Sequence, residues 1–330
     1  MPADEFEVIK RLLAPLATDP GARRLVDDAA VFGGYVVTTD AIVEGVHFLS
    51  DDPIETVAKK ALRVNVSDLT AKGARPVAAL MTLVWPNRRP AVEIEAFARG
   101  LGEDLRRYGV ALIGGDTTST PGPLMVSITL IGAPLGERVP SRADARPGEQ
   151  VWVTGCIGDG FLGYLAATQA PAIIGAQAQD RVGDFADRLR AAYRAPEPPV
   201  GFAASVARFA SASMDVSDGL VADAAKLAAA SNVALRIDAE AVPLSAAGHG
   251  YVAMGGDDAL VRLLTGGDDY QVLFMAPPEQ RAAIIQAGRE TNTNVALIGD
   301  VSEGAGVSVV GAGSAELTIA TGGHSHRLGR

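Results

Sequence analysis

The sequence predicts an α/β (α+β) protein of two domains, and three observations carry that prediction. Two strand–helix–strand passages follow one another in residues 35–132, as in mixed sheets covered by helices. Residues 134–149 are rich in Pro, Gly and Arg and show no apolar period, which places the boundary there, with domains at 1–136 and 137–330. A new strand then starts at residue 151 and runs into a glycine-rich loop and a helix. A chain of 330 residues with 48% hydrophobic content is long and apolar enough for two cores.

Taken in order, residues 5–17 carry Phe6, Ile9, Leu12, Leu13 and Leu16 at helical spacing. Residues 18–30 read as a loop holding Asp27 and Asp28, and a strand over 35–39 ends at Asp40. Residues 45–48 are irregular. Pro53 suits the first turn of a helix that stops near Gly73, and on it Asn65, Asp68 and Lys72 share one face. Residues 77–85 form a strand, 90–108 a helix stopped by Gly109, and strands 110–113 and 124–132 flank the motif Gly114-Gly115-Asp116-Thr117-Thr118. In the second half, strand 151–154 leads into Gly155-Cys156-Ile157-Gly158-Asp159-Gly160, a loop able to hold phosphate at a helix N-terminus. An amphipathic helix covers 178–194, Ser217-Asp218-Gly219 caps a helix running to Ala230, and residues 233–237 alternate as a strand. The apolar run 260–264 ends at Gly266-Gly267-Asp268-Asp269, followed by strand 270–275, a helix near 278–289 and strands near 295–299, 306–310 and 316–320.

Composition narrows the chemistry. A net charge of −10 argues against a nucleic-acid partner, and no stretch is long and apolar enough to span a membrane. The acidic start Asp4-Glu5-Phe6-Glu7 is unlike a signal peptide, so a cytoplasmic location is expected. Cys156 is the sole cysteine, which excludes an intramolecular disulfide and a multi-cysteine zinc site. It has no neighbouring base in sequence and reads as a packing residue. Lys10, Lys59, Lys60, Lys72 and Lys226 are the only lysines, and none follows a glycine, so there is no Walker A loop. Against this scarcity stand Asp28, Asp40, Asp68, Asp116, Asp215 and Asp218, each beside hydroxyls, glycine or an apolar run. These acids are too many for one ion and would repel one another if clustered, so several Mg²⁺ bridging a polyphosphate is the expected resolution.

The same motifs resemble the thiamine-monophosphate kinases of the aminoimidazole ribonucleotide synthetase superfamily. The matching pieces run in family order from Asp27-Asp28-Ala29-Ala30 and Thr38-Thr39-Asp40, through Asn65-Val66-Ser67-Asp68-Leu69 and Ile113-Gly114-Gly115-Asp116-Thr117-Thr118. They continue with Ser141-Arg142, Asp215-Val216-Ser217-Asp218-Gly219-Leu220 and Gly266-Gly267-Asp268-Asp269-Tyr270. The resemblance implies a two-domain kinase that moves the γ-phosphoryl of ATP directly, in line, onto thiamine monophosphate. It implies a homodimer in which the first domains pair their sheets into a barrel. It places Asp28, Thr38, Thr39, Asp40, Asp68, Asp116, Asp215 and Asp218 on metal positions, and Gly115, Asp116, Arg142 and Ser217 on ATP positions. His47, Asp268 and His324 fall on substrate positions. Three residues depart from the family pattern: Val26 replaces a glycine, Asp268 replaces a glutamate, and His324 stands nearest to a missing C-terminal aromatic. The alternatives are a ligase or cyclase of the same superfamily and a non-catalytic nucleotide sensor; a sensor needs fewer of the acidic positions filled.

Overall fold

The computed structural model describes residues 3–168, 179–319, 323 and 327–328. The chain opens with β1 (Ala3–Asp4) and the single turn α1 (Glu5–Val8), followed by π and 3-10 turns over Ile9–Leu13, Ala14–Leu16 and Pro20–Leu25. The apolar spacing over 5–17 therefore yields a series of unlike turns and not one regular helix. Pro15 removes a backbone donor there, and Phe6, Leu12, Leu13 and Leu16 remain exposed, so no core face holds a regular helix in place.

β2 (Ala30–Phe32), β3 (Tyr35–Val43), α2 (Ile54–Ala71), β4 (Ala74–Pro86), α3 (Val92–Tyr108), β5 (Ala111–Thr120) and β6 (Met125–Pro134) build a sheet of order β2-β3-β6-β4-β5. β4 and β5 run parallel, joined through α3, and the other neighbours are antiparallel. α3 stops at a left-handed Gly109, as its sequence predicts. Two strands run longer than expected. β3 carries on through Asp40 to Val43, and β5 carries Gly114, Gly115 and Asp116 within it, so these acids are not at strand ends. Gly115 is required by close approach, since a Cβ there would lie 1.8 Å from the Met81 carbonyl oxygen on β4.

The second sheet uses β7 (Gln150–Thr154), β8 (Ala212–Val216), β9 (Ala234–Asp238), β10 (Gln271–Ala276), β11 (Val295–Ser302) and β12 (Gly306–Val310) in the order β12-β9-β11-β7-β10-β8. Only the β9–β12 pairing is parallel. Its helices are α4 (Asp159–Thr168), α5 (Gln179–Arg194), α6 (Ala203–Phe209), α7 (Leu220–Ser231), α8 (Ala246–Thr265) and α9 (Arg281–Glu290). The run 260–264 proves to be the end of α8, which bends at Gly256 (φ 60°). The strand expected near 316–320 is reduced to one bridge between Glu316 and Val310. β13 (Arg327–Leu328) pairs with β1.

α2 joins the halves. Almost all of it is buried, which is the mark of a helix packed on every side. Leu62, Val66 and Leu69 belong to the first sheet's core, a cluster that Tyr270 of the second half also enters. Ala71 packs with Trp152, Phe202 and Phe274 of the second half. The polar residues of α2, among them Lys60, Asn65, Asp68 and Lys72, are consequently held inside the protein.

Candidate active site

Three acids meet at this joint. Asp28 from the loop before β2, Asp68 from α2 and Asp215 from β8 each place a ligand oxygen within 4.8 Å of the others. The period of two along β3 buries Val36, Thr38 and Ile42 and turns Asp40 the same way. The Thr38 hydroxyl lies 2.5 Å from Asp68 Oδ2, and the Asn65 side-chain oxygen accepts from the Asp40 N–H at 3.1 Å. Burial raises Asp68 well above the carboxylate range, reinforced by the charges of Asp40, Asp215 and Asp28. Burial likewise lifts Asp215, helped by Asp28 and Asp223, and brings Asp40 up to about 6 against the hydrogen bond with Asp68. A cluster of oxygen donors strained by its own negative charge fits hard divalent cations, because such ions both bind oxygen and relieve the repulsion. Asp28, Asp68 and Asp215 would hold them, with Asp40 and Thr38 alongside.

The positive side of the site was harder to read from the sequence. Lys72 is fully buried and sits 2.5 Å from Asp27 Oδ1 and 2.6 Å from Asp28 Oδ2. Arg23 pairs with Asp27 at 2.5 Å, and Arg142 donates to Asp28. Burial opposes ionisation of Asp28, but the Arg142 and Lys72 charges outweigh it and hold the acid below its usual range. Asp27 is pulled down in the same way by Lys72 and Arg23. Arg142, assigned by resemblance to ATP, thus touches the acid cluster in this chain.

At the end of β8 the expected cap is replaced. Gly219 takes the N-cap position of α7 without a side-chain cap. Instead Asp223, fully buried in the first turn of α7, accepts from the N–H groups of Ser217 and Asp218 at 2.9 and 3.0 Å. The side chains of Asp215, Ser217 and Asp218 are therefore not spent on capping. Lys226, one turn on, donates to Asp218 and lies 2.7 Å from Asp223.

The glycine loop 155–160 is also redirected. The Asp269 carboxylate accepts from the N–H of Gly158 at 2.9 Å and of Gly160 at 3.0 Å, so a carboxylate of the protein takes the place expected for phosphate. Burial pushes Asp269 up to about 8 despite these bonds. Cys156 has its thiol pushed up by burial and by Asp159 and Asp269, which suits packing and not attack.

A second group lies beside the first. Lys60 is 1% exposed, donates to the His47 carbonyl at 2.8 Å, pairs with Asp268 Oδ1 at 3.0 Å and sits 4.1 Å over the Tyr193 ring. His47 Nδ1 accepts from the Val43 N–H at 3.1 Å. Asp268 occupies a left-handed conformation (φ 64°), and its N–H donates to the Ser217 carbonyl at 2.8 Å, which seats it against the end of β8. Lys60 thus ties a residue of each half together, a role its sequence position did not announce.

Thr39, Gly115 and Asp116 lie elsewhere in this chain. Thr39 faces the other side of β3, where its hydroxyl meets Thr129 at 3.1 Å. Asp116 is exposed on the edge strand, and its carboxylate accepts from the Thr117 N–H at 2.9 Å. It stands in register with Thr82, Ser127 and Ala41, on the face that Thr39 shares. Three strand spacings separate it from β3, roughly 14 Å across the sheet. His324 lies outside the described residues.

Residues 26–133 match the AIR synthase related protein, N-terminal domain, and residues 146–312 the corresponding C-terminal domain. A thiamine-monophosphate kinase of Caulobacter vibrioides is 41% identical over 316 residues, 93% of this chain and 86% of the relative. One from Aquifex aeolicus is 33% identical over 276 residues, 84% of each chain. Among solved structures, AaThiL complexed with AMPPCP and TMP superposes with a TM-score of 0.81 at 30% identity, covering 98% of this chain and 97% of that one. Hydrogenase maturation protein HypE in complex with ATP shares the fold, with a TM-score of 0.67 at 21% identity over 96% of this chain and 94% of the other.

Proposed function

The chain belongs to the thiamine-monophosphate kinases of the AIR synthase related family, and from that premise we propose that it transfers the γ-phosphoryl group of ATP to thiamine monophosphate, giving thiamine diphosphate. The observation that carries this reading is the buried convergence of Asp28, Asp68 and Asp215, with Asp40 and Thr38, where the two halves meet. Bound Mg²⁺ supplies the positive charge that neutralises a polyphosphate and its transition state.

The chain's own residues hold and align. Lys72 and Arg142 keep Asp28 ionised and fixed, Thr38 orients Asp68, and Asp223 fixes the turn that carries Ser217 and Asp218. An acceptor phosphate is already an anion at neutral pH and needs no general base. Cys156, with its thiol held protonated, offers no nucleophile for a phosphoenzyme. Direct in-line transfer is therefore the mechanism we assign. His47 and Asp268 are assigned to hold the thiamine portion, and the Lys60 contacts that fix the two loops against each other support that reading.

Residues 1–136 serve as the ATP- and Mg²⁺-binding and dimerising domain, and 137–330 complete the site. β5 supports a homodimer: it is an edge strand exposed along nearly all its length, with Leu112 and Ile113 uncovered. Thr39, Gly115 and Asp116 lie on or beside that surface, and they keep their metal and nucleotide assignments as part of the proposal. Among the described residues no helix is long and apolar enough to cross a membrane, and a cytoplasmic location goes with the use of ATP.

Incubation with γ-labelled ATP and Mg²⁺ should transfer label to thiamine monophosphate in preference to other phosphorylated acceptors. Absence of transfer to thiamine monophosphate overturns the assignment. With chirally labelled γ-phosphate, inversion is expected, and retention rules out the in-line path.

A further inference from the structure

The Lys72 ammonium sits among three oxygens, two from ion-paired carboxylates and one from a hydrogen-bonded carbonyl. Besides Asp27 at 2.5 Å and Asp28 at 2.6 Å, its Nζ donates to the Ser213 carbonyl on β8 at 2.5 Å. It is wholly excluded from solvent. Its backbone N–H closes α2 on the Asp68 carbonyl at 2.9 Å, so the same residue ends the helix that carries Asp68. The Ser213 hydroxyl donates back to the Ala71 carbonyl, which fastens the end of α2 to β8 from the other direction. Enclosed by the protein and paired with its own acids, this ammonium is not presented to a substrate. It is a positioning group, and it joins the three chain segments that deliver Asp28, Asp68 and Asp215.

The geometry points to Lys72 as a resident cation of the carboxylate site: its buried ammonium, ion-paired with Asp27 and Asp28 and hydrogen-bonded to the Ser213 carbonyl, holds Asp28 in place and lets the two halves close over their acids before any divalent ion arrives. The physical basis is that like charges brought out of water must be compensated on the spot. Lys72 supplies one unit of compensation covalently, on the helix that needs it. Asp28, Asp68 and Asp215 would then take up Mg²⁺ with part of their charge already compensated. This role is independent of which phosphate is the acceptor.

The consequence is measurable without turnover. Melting curves of the wild type, Lys72→Met and Lys72→Met/Asp27→Asn are compared in EDTA and in saturating Mg²⁺. Lys72→Met keeps the length of the side chain and removes its charge, leaving buried acids uncompensated, so its Tm should fall by roughly 10 °C in EDTA. Mg²⁺ should restore most of that loss, making the Mg²⁺-dependent gain larger in the variant than in the wild type. Removing Asp27 together with the amine should lower the Mg²⁺ requirement again, because an acid leaves with its partner. An equal loss in EDTA and in Mg²⁺, or a double variant no better than the single one, assigns Lys72 to packing and overturns the proposal. So does failure of both variants to fold in either medium.

Discussion

Single side chains in this site have opposite electrostatic fates, and pH separates them. Asp40 is raised to about 6, and Asp68 and Asp215 are raised as well, chiefly by burial and then by neighbouring acids. The folded protein keeps protons on them that the unfolded chain releases near pH 4, so they subtract stability as pH rises through their folded values. Asp27 and Asp28 are lowered, and their contribution is present above about pH 4 and lost only in acid. In EDTA, Tm should therefore decline as pH rises from about 4 through the Asp40 value of about 6, and Mg²⁺ should raise Tm more at the upper end of that range. A Mg²⁺ effect independent of pH would contradict the assignment of these acids as cation ligands. Asp68→Asn removes a carboxylate at the centre of the cluster and should lower turnover by about 100-fold or more at saturating ATP. Asp116→Asn, on an exposed strand, should leave Tm nearly unchanged; wild-type turnover at limiting Mg²⁺ would remove Asp116 from the metal set.

At the scale of elements, α2 is the organising piece. Its hydrophobic residues serve two cores, and its polar residues emerge at two separate stations: Lys60 near the start and Asp68 with Lys72 near the end. Lys60 holds the loop of His47 against the loop of Asp268 by bonds of 2.8 and 3.0 Å. Lys60→Met should raise KM for thiamine monophosphate roughly tenfold, the cost of a lost charged hydrogen bond, with KM for ATP little changed. If both constants move together with Tm, Lys60 is a core residue only. The neighbouring element, Gly155 to Gly160, shows why a local motif misleads. Its glycine N–H groups have the arrangement that binds an anion, and the Asp269 carboxyl takes up their hydrogen bonds from within the protein.

For the whole molecule, the first sheet has a covered face and a bare one. α2 packs on the side of Val126, Ile128 and Leu130, while Tyr35, Leu80, Leu112 and Ile113 are exposed on or beside the other side and the β5 edge. Light scattering at micromolar concentration should give twice the 34.0 kDa chain mass. Ile113→Lys, a change at an already exposed position, should shift the protein towards monomer. A stable monomer in the unaltered protein would count against the dimer. The two halves are in turn bound by side chains far apart in sequence, such as Arg142 with Asp28 and Lys72 with Ser213.

What the sequence determined by itself was local: the face of α2 that carries Asn65, Asp68 and Lys72, the stop of α3 at Gly109, and which acids stand beside strands and glycines. Periodicity and turn chemistry encode those features within a few residues, and so they are legible in one dimension. The partners were decided by the tertiary structure. Asp223 rather than Ser217 or Asp218 secures the start of α7, Asp269 fills the glycine loop, and Lys72 and Arg142 compensate Asp28. Thr39 and Asp116 turn to the outer face because a strand alternates sides and its register with distant strands sets which side is covered. A buried polar group must find a partner wherever the fold brings one. That choice depends on segments more than a hundred residues apart, as with Asp28 and Arg142, and no local pattern records it.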